Sequence, residues 1–202
     1  MKSDKRTPRS AIIILAAGAS TRLGQPKQLL KWRGRTLLRH SIETALASIG
    51  RPVVVVLGAN ADQMIPETAG LTVSTVMNVQ WQEGMASSIR AGLDAVNQAQ
   101  AAPESVILML CDQPFVTSAF LDRLADQHQT GGHKIVAAEY GGTGGVPALF
   151  DRMLFPELAG LNGSQGAKPI IVKYAKSSRW IPFPEAAIDI DSADDVQRLS
   201  SY

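Results

Sequence analysis

The 202-residue chain has a single cysteine, Cys111. No intrachain disulfide is available to it, and a lone thiol fits a reducing compartment, so a cytoplasmic protein is expected. Long apolar runs are also missing. The longest, Ala11 to Ala17, and shorter runs such as Val53 to Leu57 fall far short of the roughly 20 residues that span a bilayer, and no membrane partner is expected. The basic, polar start runs through Ala11 to Ala17 directly into Gly18, Ser20 and Arg22 without a cleavage region, so a secretory signal is not expected either. Neither sign of charge dominates. Lys and Arg number 20 against 18 Asp and Glu, a net +2; Lys2, Lys5, Arg6 and Arg9 against Asp4 supply +3, which leaves −1 for the rest. A nucleic-acid binder gathers basic residues on one face or helix, so no nucleic-acid partner is expected. Residues 1–10 read as a flexible basic tail. Residues 11–202 read as one domain, long enough to bury roughly 70% of the surface of its unfolded chain without a disulfide or structural metal.

Short runs of Val, Ile and Leu alternate with segments of helical period, which predicts an α/β fold with a mostly parallel, Rossmann-like sheet and helices on both faces. Ala11 to Leu15, Val53 to Leu57 and Val106 to Leu110 are apolar without alternation, as strands buried on both faces are. Between the first two, Leu37, Leu38, Ser41, Ile42, Ala45, Leu46 and Ile49 recur at helical spacing, with Gly50 and Pro52 placed to end the helix. Further strands are predicted at Leu71 to Met77, Ile135 to Glu139 and Ile188 to Ile190. Further helices are predicted at Ala61 to Thr68, Gly84 to Gln98, Ser118 to Gln129, Arg152 to Leu161 and Ser192 to Leu199. Gly141 to Gly145 reads as a loop.

In an open parallel sheet the ligand crevice lies beyond the carboxyl ends of the strands, so the residues that follow each strand carry the chemical signal. After the first strand come Ala16, Ala17, Gly18, Ala19, Ser20, Thr21, Arg22, Leu23, Gly24, Gln25, Pro26 and Lys27. Glycines let the backbone approach a ligand, small side chains leave its N–H groups accessible, and Arg22 and Lys27 add positive charge: a phosphate cradle, or an ordinary turn with solvated cations. Neither the dinucleotide fingerprint G-x-G-x-x-G nor the G-x-x-x-x-G-K-[ST] loop is present. After the third strand, Asp112 is either a hard oxygen ligand suited to Mg²⁺ or a helix cap. In Asp189, Ile190, Asp191, Ser192, Ala193, Asp194, Asp195, the first and third residues share a face of an extended segment. Asp191 is the candidate second metal ligand, and Asp194 and Asp195 read as acids of a first helical turn behind Ser192. Cys111 reads as a buried hydrophobe, and His40, His128 and His133 lack metal-ligand spacing. Trp81 is open between core and pocket.

The run Leu15 to Lys27 resembles the L-A-[AG]-G-x-S-x-R-[MFL]-G-x-x-K loop of the MobA-like nucleotidyltransferases, a resemblance that extends over almost the whole chain from Ala11. Asn78, Trp81, Gly84, Met85, Ser87, Ser88, Arg90, Ala91 and Gly92, then Cys111 to Pro114, then Asp189 to Asp195, resemble the subgroup that matures molybdenum cofactor. The resemblance implies Mg²⁺-dependent transfer of a nucleoside monophosphate, CMP from CTP in the closest-looking members, to the phosphate of molybdopterin with release of pyrophosphate. The product would serve xanthine-dehydrogenase-type enzymes, with handover to such a molybdenum hydroxylase. By the same resemblance Leu15, Ala16, Ala17, Gly18, Ser20, Arg22, Gly24 and Lys27 cradle the triphosphate. Lys27 contacts the phosphates at the reacting centre, Arg22 holds the β and γ phosphates, and Asp112 and Asp191 hold Mg²⁺. Gly84 and Ser88 belong to the base-recognition element. Gly144, Gly145, Pro147, Gly166 and Lys168 belong to the acceptor side. There the chain departs from the subgroup's G-D-x-G-[AG]-[RK] pattern, reading Gly163, Ser164, Gln165, Gly166, Ala167, Lys168. Two alternatives stay open: the same chemistry with GTP or another phosphorylated acceptor, and a non-catalytic carrier of the cofactor.

Overall fold

A computed structural model describes residues 10–99, 101–190 and 195. In chain order its strands are β1 (Ser10–Ala16), β2 (Lys31–Trp32), β3 (Arg35–Thr36), β4 (Val53–Leu57), β5 (Ser74–Met77), β6 (Ser105–Leu110), β7 (Ile135–Tyr140), β8 (Thr143–Asp151) and β9 (Arg179–Pro182). Its helices are α1 (Leu37–Ala47), α2 (Ala61–Thr68), α3 (Met85–Asn97), α4 (Ser118–Gly131), α5 (Phe155–Ala159) and α6 (Lys168–Lys173). Seven strands form one sheet in the order β5-β4-β1-β6-β8-β7-β9, and β2 and β3 form a separate hairpin. The pairs β5/β4, β4/β1, β1/β6 and β7/β9 are parallel. Only β8 runs against its neighbours, β6 and β7, so the sheet is mostly parallel as expected. Among the described residues no helix is long and apolar enough to cross a membrane.

Strand β1 shows why unbroken apolar runs mark the sheet's centre. Successive side chains point to opposite faces, and both faces are covered. Ile12, Ile14 and Ala16 pack with Leu38, Ile42 and Leu124 on one side, while Ala11, Ile13 and Leu15 pack with Ile89, Leu93 and Leu158 on the other. The in-register pairs Leu15 with Val56 and Leu15 with Leu110 bring the carboxyl ends of β4, β1 and β6 to one edge. The expected crevice is therefore shared by the segments that follow β1 and β6.

Several boundaries differ from the sequence reading. The strand expected at Leu71 to Met77 shortens to Ser74–Met77, because Leu71 and Val73 owe their apolar character to packing against the core beneath the sheet's edge. Ile188 to Ile190 is not a strand. Its buried Ile190 fills a small cluster with Trp32 and Leu37, while β9, which the pattern did not reveal, takes the place beside β7. Only Gly141 and Gly142 of the expected Gly-rich loop form the turn, both at positive φ, and Gly144 and Gly145 lie within β8. They suit a strand here because a Cβ on either would run into Trp180 or the Tyr140 hydroxyl. The helix expected over Arg152 to Leu161 divides into a 3₁₀ turn, Arg152–Leu154, and the short α5. Asp151 caps that turn by accepting from the Met153 N–H at 2.9 Å. The β2/β3 hairpin and α6, too short for periodicity to register, were not expected. The tail up to Arg9 and the helix expected at Ser192 to Leu199, Asp195 apart, lie outside the described residues; Ser10, assigned to the tail, is buried in β1.

The loop after β1 is secured from beneath. Gln28 is fully buried in a 3₁₀ turn, Lys27–Leu29, and its Nε2 donates to the carbonyls of Ala16 at 2.9 Å and Gly18 at 2.8 Å. Ser20 Oγ donates to Gln28 Oε1 at 3.3 Å and accepts from the Lys27 N–H at 3.1 Å. One amide side chain thus holds the loop's entry and exit together. Gln28→Leu keeps the volume but orphans the buried Ala16 carbonyl and removes the donor to the partly exposed Gly18 carbonyl, which costs on the order of 1 to 3 kcal/mol. The expected result is a lower urea midpoint with an unchanged m-value; an unchanged midpoint would show that the loop is secured elsewhere.

Candidate active site

A cleft of about 310 Å³ opens at the carboxyl edge of β1 and β6. It is lined by Leu15, Ala16, Ala17, Gly18 and Ala19, by Lys27 and Gln28, by Trp81, Gln82, Gly84, Met85 and Ser88, and by Leu110, Cys111 and Asp112. Seven of the expected nucleotide-binding residues, Leu15, Ala16, Ala17, Gly18, Lys27, Gly84 and Ser88, therefore come together with the expected metal ligand Asp112. Ser20, Arg22 and Gly24 do not line the cleft. They form the outer turn of the loop, where the Leu23 N–H donates to the Ser20 carbonyl at 3.0 Å and Arg22 and Gly24 are exposed.

Lys27 Nζ donates to Asp112 Oδ2, an ion pair between residues 85 positions apart. The side chains are 17% and 8% exposed, so the two charges are largely withdrawn from water, where Coulomb interactions are strong and an unpaired partner is costly. Asp112 Oδ1 is buried without a hydrogen-bond partner among the described residues. The turn that bears Asp112 is gripped by α1: Ser41 Oγ donates to the Cys111 carbonyl at 3.1 Å, and His40 Nε2 donates to the Pro114 carbonyl at 2.9 Å. Burial holds His40 below the ordinary imidazole range, against the opposing effect of that hydrogen bond, so the neutral ring serves as the donor. The Ile190 N–H donates to the Asp112 carbonyl at 3.1 Å, which brings the chain ahead of Asp191 alongside Asp112. Asp191 itself lies outside the described residues. Among the described residues no group of three or more His, Cys, Asp or Glu could hold a metal. The orphaned Oδ1 nonetheless fits a Mg²⁺ ion, which commonly takes one or two carboxylates and completes its shell with water and substrate phosphates.

Across the cleft, Asn78 orders the helix entrance. Its Nδ2 donates to Ser87 Oγ at 2.8 Å and Ser88 Oγ at 3.0 Å, and its Oδ1 accepts from the Gln80 N–H at 3.0 Å. Gly84 has φ +111° and lies against the Gly163 carbonyl, so a side chain there would be both strained and crowded. Trp81 resolves in favour of both readings: it lines the cleft and packs against the core face that carries Leu15.

A second cavity of about 250 Å³ adjoins the first. It contains three of the five residues expected on the acceptor side, Gly145, Gly166 and Lys168, with Tyr140, Ile89 and Ile171 among the rest. Gly144 stands behind it, its carbonyl accepting from Lys168 Nζ at 2.6 Å. Pro147 is buried in β8 and does not line it. Desolvation lowers the Lys168 pKa below its ordinary value. The Tyr140 hydroxyl donates to the Val146 carbonyl at 3.1 Å, and its pKa is raised by burial first and by the Asp189 and Asp112 charges next. Sequence reasoning gave no role to Gln28 or Tyr140, and placed Met85 only within the motif-bearing segment Asn78 to Gly92. No motif signals Gln28, and Tyr140 lies one residue beyond the strand expected at Ile135 to Glu139.

Cys111 is 3% exposed, and burial, reinforced by the Asp112 charge, pushes its thiol well above the ordinary range. It is a packing residue rather than a nucleophile. The native protein is expected to give almost no reaction with a thiol reagent such as dithionitrobenzoate and one equivalent once unfolded; rapid native reaction would contradict this reading.

The MobA-like NTP transferase domain matches residues 12–178. A nicotine blue oxidoreductase from Paenarthrobacter nicotinovorans is 33% identical, over 93% of this chain and 94% of that protein. The crystal structure of Rv0371c from Mycobacterium tuberculosis H37Rv superposes with a TM-score of 0.82 at 30% identity, over 97% of this chain and 100% of that one. A manganese complex of Rv0371c superposes with a TM-score of 0.78 at 28% identity, over 94% and 97%. With a family match over most of its length and a loop, cleft and sheet that agree with it, the chain belongs to the MobA-like NTP transferase family and is a nucleotidyltransferase.

Proposed function

We propose that this nucleotidyltransferase transfers CMP from CTP to the phosphate of molybdopterin, with residues 11–202 acting as one catalytic domain. The observation that carries the transfer chemistry is the meeting of Lys27 and Asp112 at the mouth of the β1 loop, next to a second, adjoining cavity. The choice of CTP and molybdopterin rests on the resemblance of Asn78 to Gly92 and Asp189 to Asp195 to the subgroup that matures molybdenum cofactor. In the reaction an anionic oxygen of the acceptor phosphate bonds to the α-phosphorus, and the bond from that phosphorus to the oxygen bridging to the β-phosphate breaks. Pyrophosphate leaves with the electron pair. An acceptor phosphate is already ionised near neutral pH, so no protein base is needed. The protein's task is positioning and charge stabilisation. Lys27 leaves Asp112 to meet the phosphates at the reacting centre, backbone N–H groups of Ala17 to Gly24 cradle the triphosphate, and Arg22 reaches its outer phosphates. Ser88, held by Asn78, addresses the base.

Asp112, together with Asp191, would hold Mg²⁺, which neutralises phosphate charge when bound; the manganese complex of Rv0371c supports a divalent metal. Gly145, Gly166 and Lys168 receive the acceptor, with Gly144 and Pro147 shaping the strand behind them. Ser164, where the subgroup's loop carries an acidic residue, is exposed on the same loop. The relative named as an oxidoreductase favours a second reading, in which the same cleft serves redox chemistry.

The test is pyrophosphate release with Mg²⁺ and molybdopterin, using CTP, GTP, ATP and UTP in turn, alongside a redox arm with NADH or NADPH and nicotine blue. CTP is expected to support release. Lys27→Ala and Asp112→Asn are each expected to lower kcat/KM by on the order of 10²- to 10³-fold, as removal of one preorganised charge-stabilising group does. Release with GTP alone would replace the nucleotide. Turnover in the redox arm without pyrophosphate release would replace the reaction.

A further inference from the structure

Leu15, Met85 and Leu110 line both cavities. Leu15 and Leu110 are neighbours in β1 and β6 and form the shared floor, whereas Met85 comes from the opposite side, at the start of α3. Its sulfur faces Gly166, where an added Cβ would lie 2.7 Å from Sδ. The backbone on either side of Met85 is pinned to the 163–168 loop: Gly84 abuts the Gly163 carbonyl, and the Ala86 N–H donates to that carbonyl at 3.2 Å. The side chain is held far less. Met85 is 39% exposed, and a thioether with three rotatable bonds adapts readily to what lies beside it. A fixed backbone carrying a movable apolar side chain between two cavities has the form of a partition.

Resting on the nucleotidyl-transfer reading, we infer that Met85 is the specificity-determining partition of the site: it separates the nucleotide cavity from the acceptor cavity and decides whether the α-phosphorus meets an acceptor or water. Transfer needs an acceptor oxygen to reach phosphorus across this boundary. An acceptor seated against Gly166 displaces the thioether and gains that access, which a phosphate arriving without a ring or chain to fill the second cavity does not. With no acceptor bound, Met85 covers the opening. Hydrolysis is then suppressed, the competing step in which a water oxygen bonds to the α-phosphorus, pyrophosphate departs with the bridging electron pair and a proton passes to solvent.

Met85→Ala, Met85→Leu, Gly166→Ala and the Met85→Ala/Gly166→Ala double variant test this, with Mg²⁺ and the four nucleoside triphosphates as probes. The first readout is nucleoside monophosphate formed without acceptor. Met85→Ala is expected to raise it about tenfold by admitting water, while Met85→Leu, which refills the space, stays within about twofold of the unaltered protein. The second readout is nucleotide affinity by calorimetry. Gly166 touches only the acceptor cavity and has no positive φ, so alanine is tolerated by the backbone but drives Met85 toward the nucleotide. Weakening by roughly fivefold or more is expected, from overpacking, with recovery in the double variant. Effects that multiply to within about twofold, together with unchanged hydrolysis in Met85→Ala, would overturn the partition while leaving nucleotidyl transfer intact. A protein that binds none of the four triphosphates would overturn transfer itself, and the partition with it.

Discussion

The parallel pairing of β1 with β4 on one side and β6 on the other is the constraint from which the site follows. All three strands are buried on both faces, so their register is set by packing on two sides at once. Parallel pairing brings their carboxyl ends to the same edge. The loop that leaves β1 and the turn that leaves β6 therefore emerge as neighbours, although Lys27 and Asp112 are far apart in the chain. Helix α1 fixes the second of these through His40 and Ser41, and Gln28 fixes the first through the carbonyls of Ala16 and Gly18. The ion pair joins two segments that the sheet had already brought together.

That arrangement is suited to moving a charged fragment between two anions. The cleft contributes a lysine paired with a carboxylate, a carboxylate oxygen with no hydrogen-bond partner among the described residues, and a loop of small residues whose backbone is accessible. It contributes no reactive thiol, because Cys111 is sealed into the core beside Asp112. The adjoining cavity shares its floor with the first, and the loop around Gly166 packs directly on the start of α3. The two cavities are thus built against each other.

Much of this was legible in the sequence, for identifiable reasons. Buried parallel strands leave unbroken apolar runs, and those at Ala11, Val53 and Val106 gave the centre of the sheet within a residue or so. Glycine, small residues and cations after β1, and Asp112 after β6, are where a parallel sheet puts chemistry. The periphery was harder to read. Ile190 is apolar because it fills a pocket beside Trp32, not because it pairs in a strand, and residue type alone does not distinguish the two. Gly144 and Gly145 looked like loop because strands seldom carry paired glycines, yet Trp180 and Tyr140 leave no room for side chains there. Gln28, fully buried, has no sequence signal, since its role depends on two carbonyls that only the folded loop directs toward it. Arg22 and Asp112 belong to one recognisable pattern, yet Arg22 stands on the exposed outer turn while Asp112 lines the cleft.

The fate of the α-phosphorus of the nucleoside triphosphate distinguishes nucleotidyl transfer from any other use of the cleft. The decisive measurement incubates the protein, Mg²⁺ and molybdopterin with CTP labelled with ³²P at the α or the γ position, and follows the label into the acceptor product. Label from the α position in the acceptor, with the γ label recovered as pyrophosphate, is the predicted result. A γ label on the acceptor would contradict nucleotidyl transfer, and so would a product that takes up neither label while CTP remains intact.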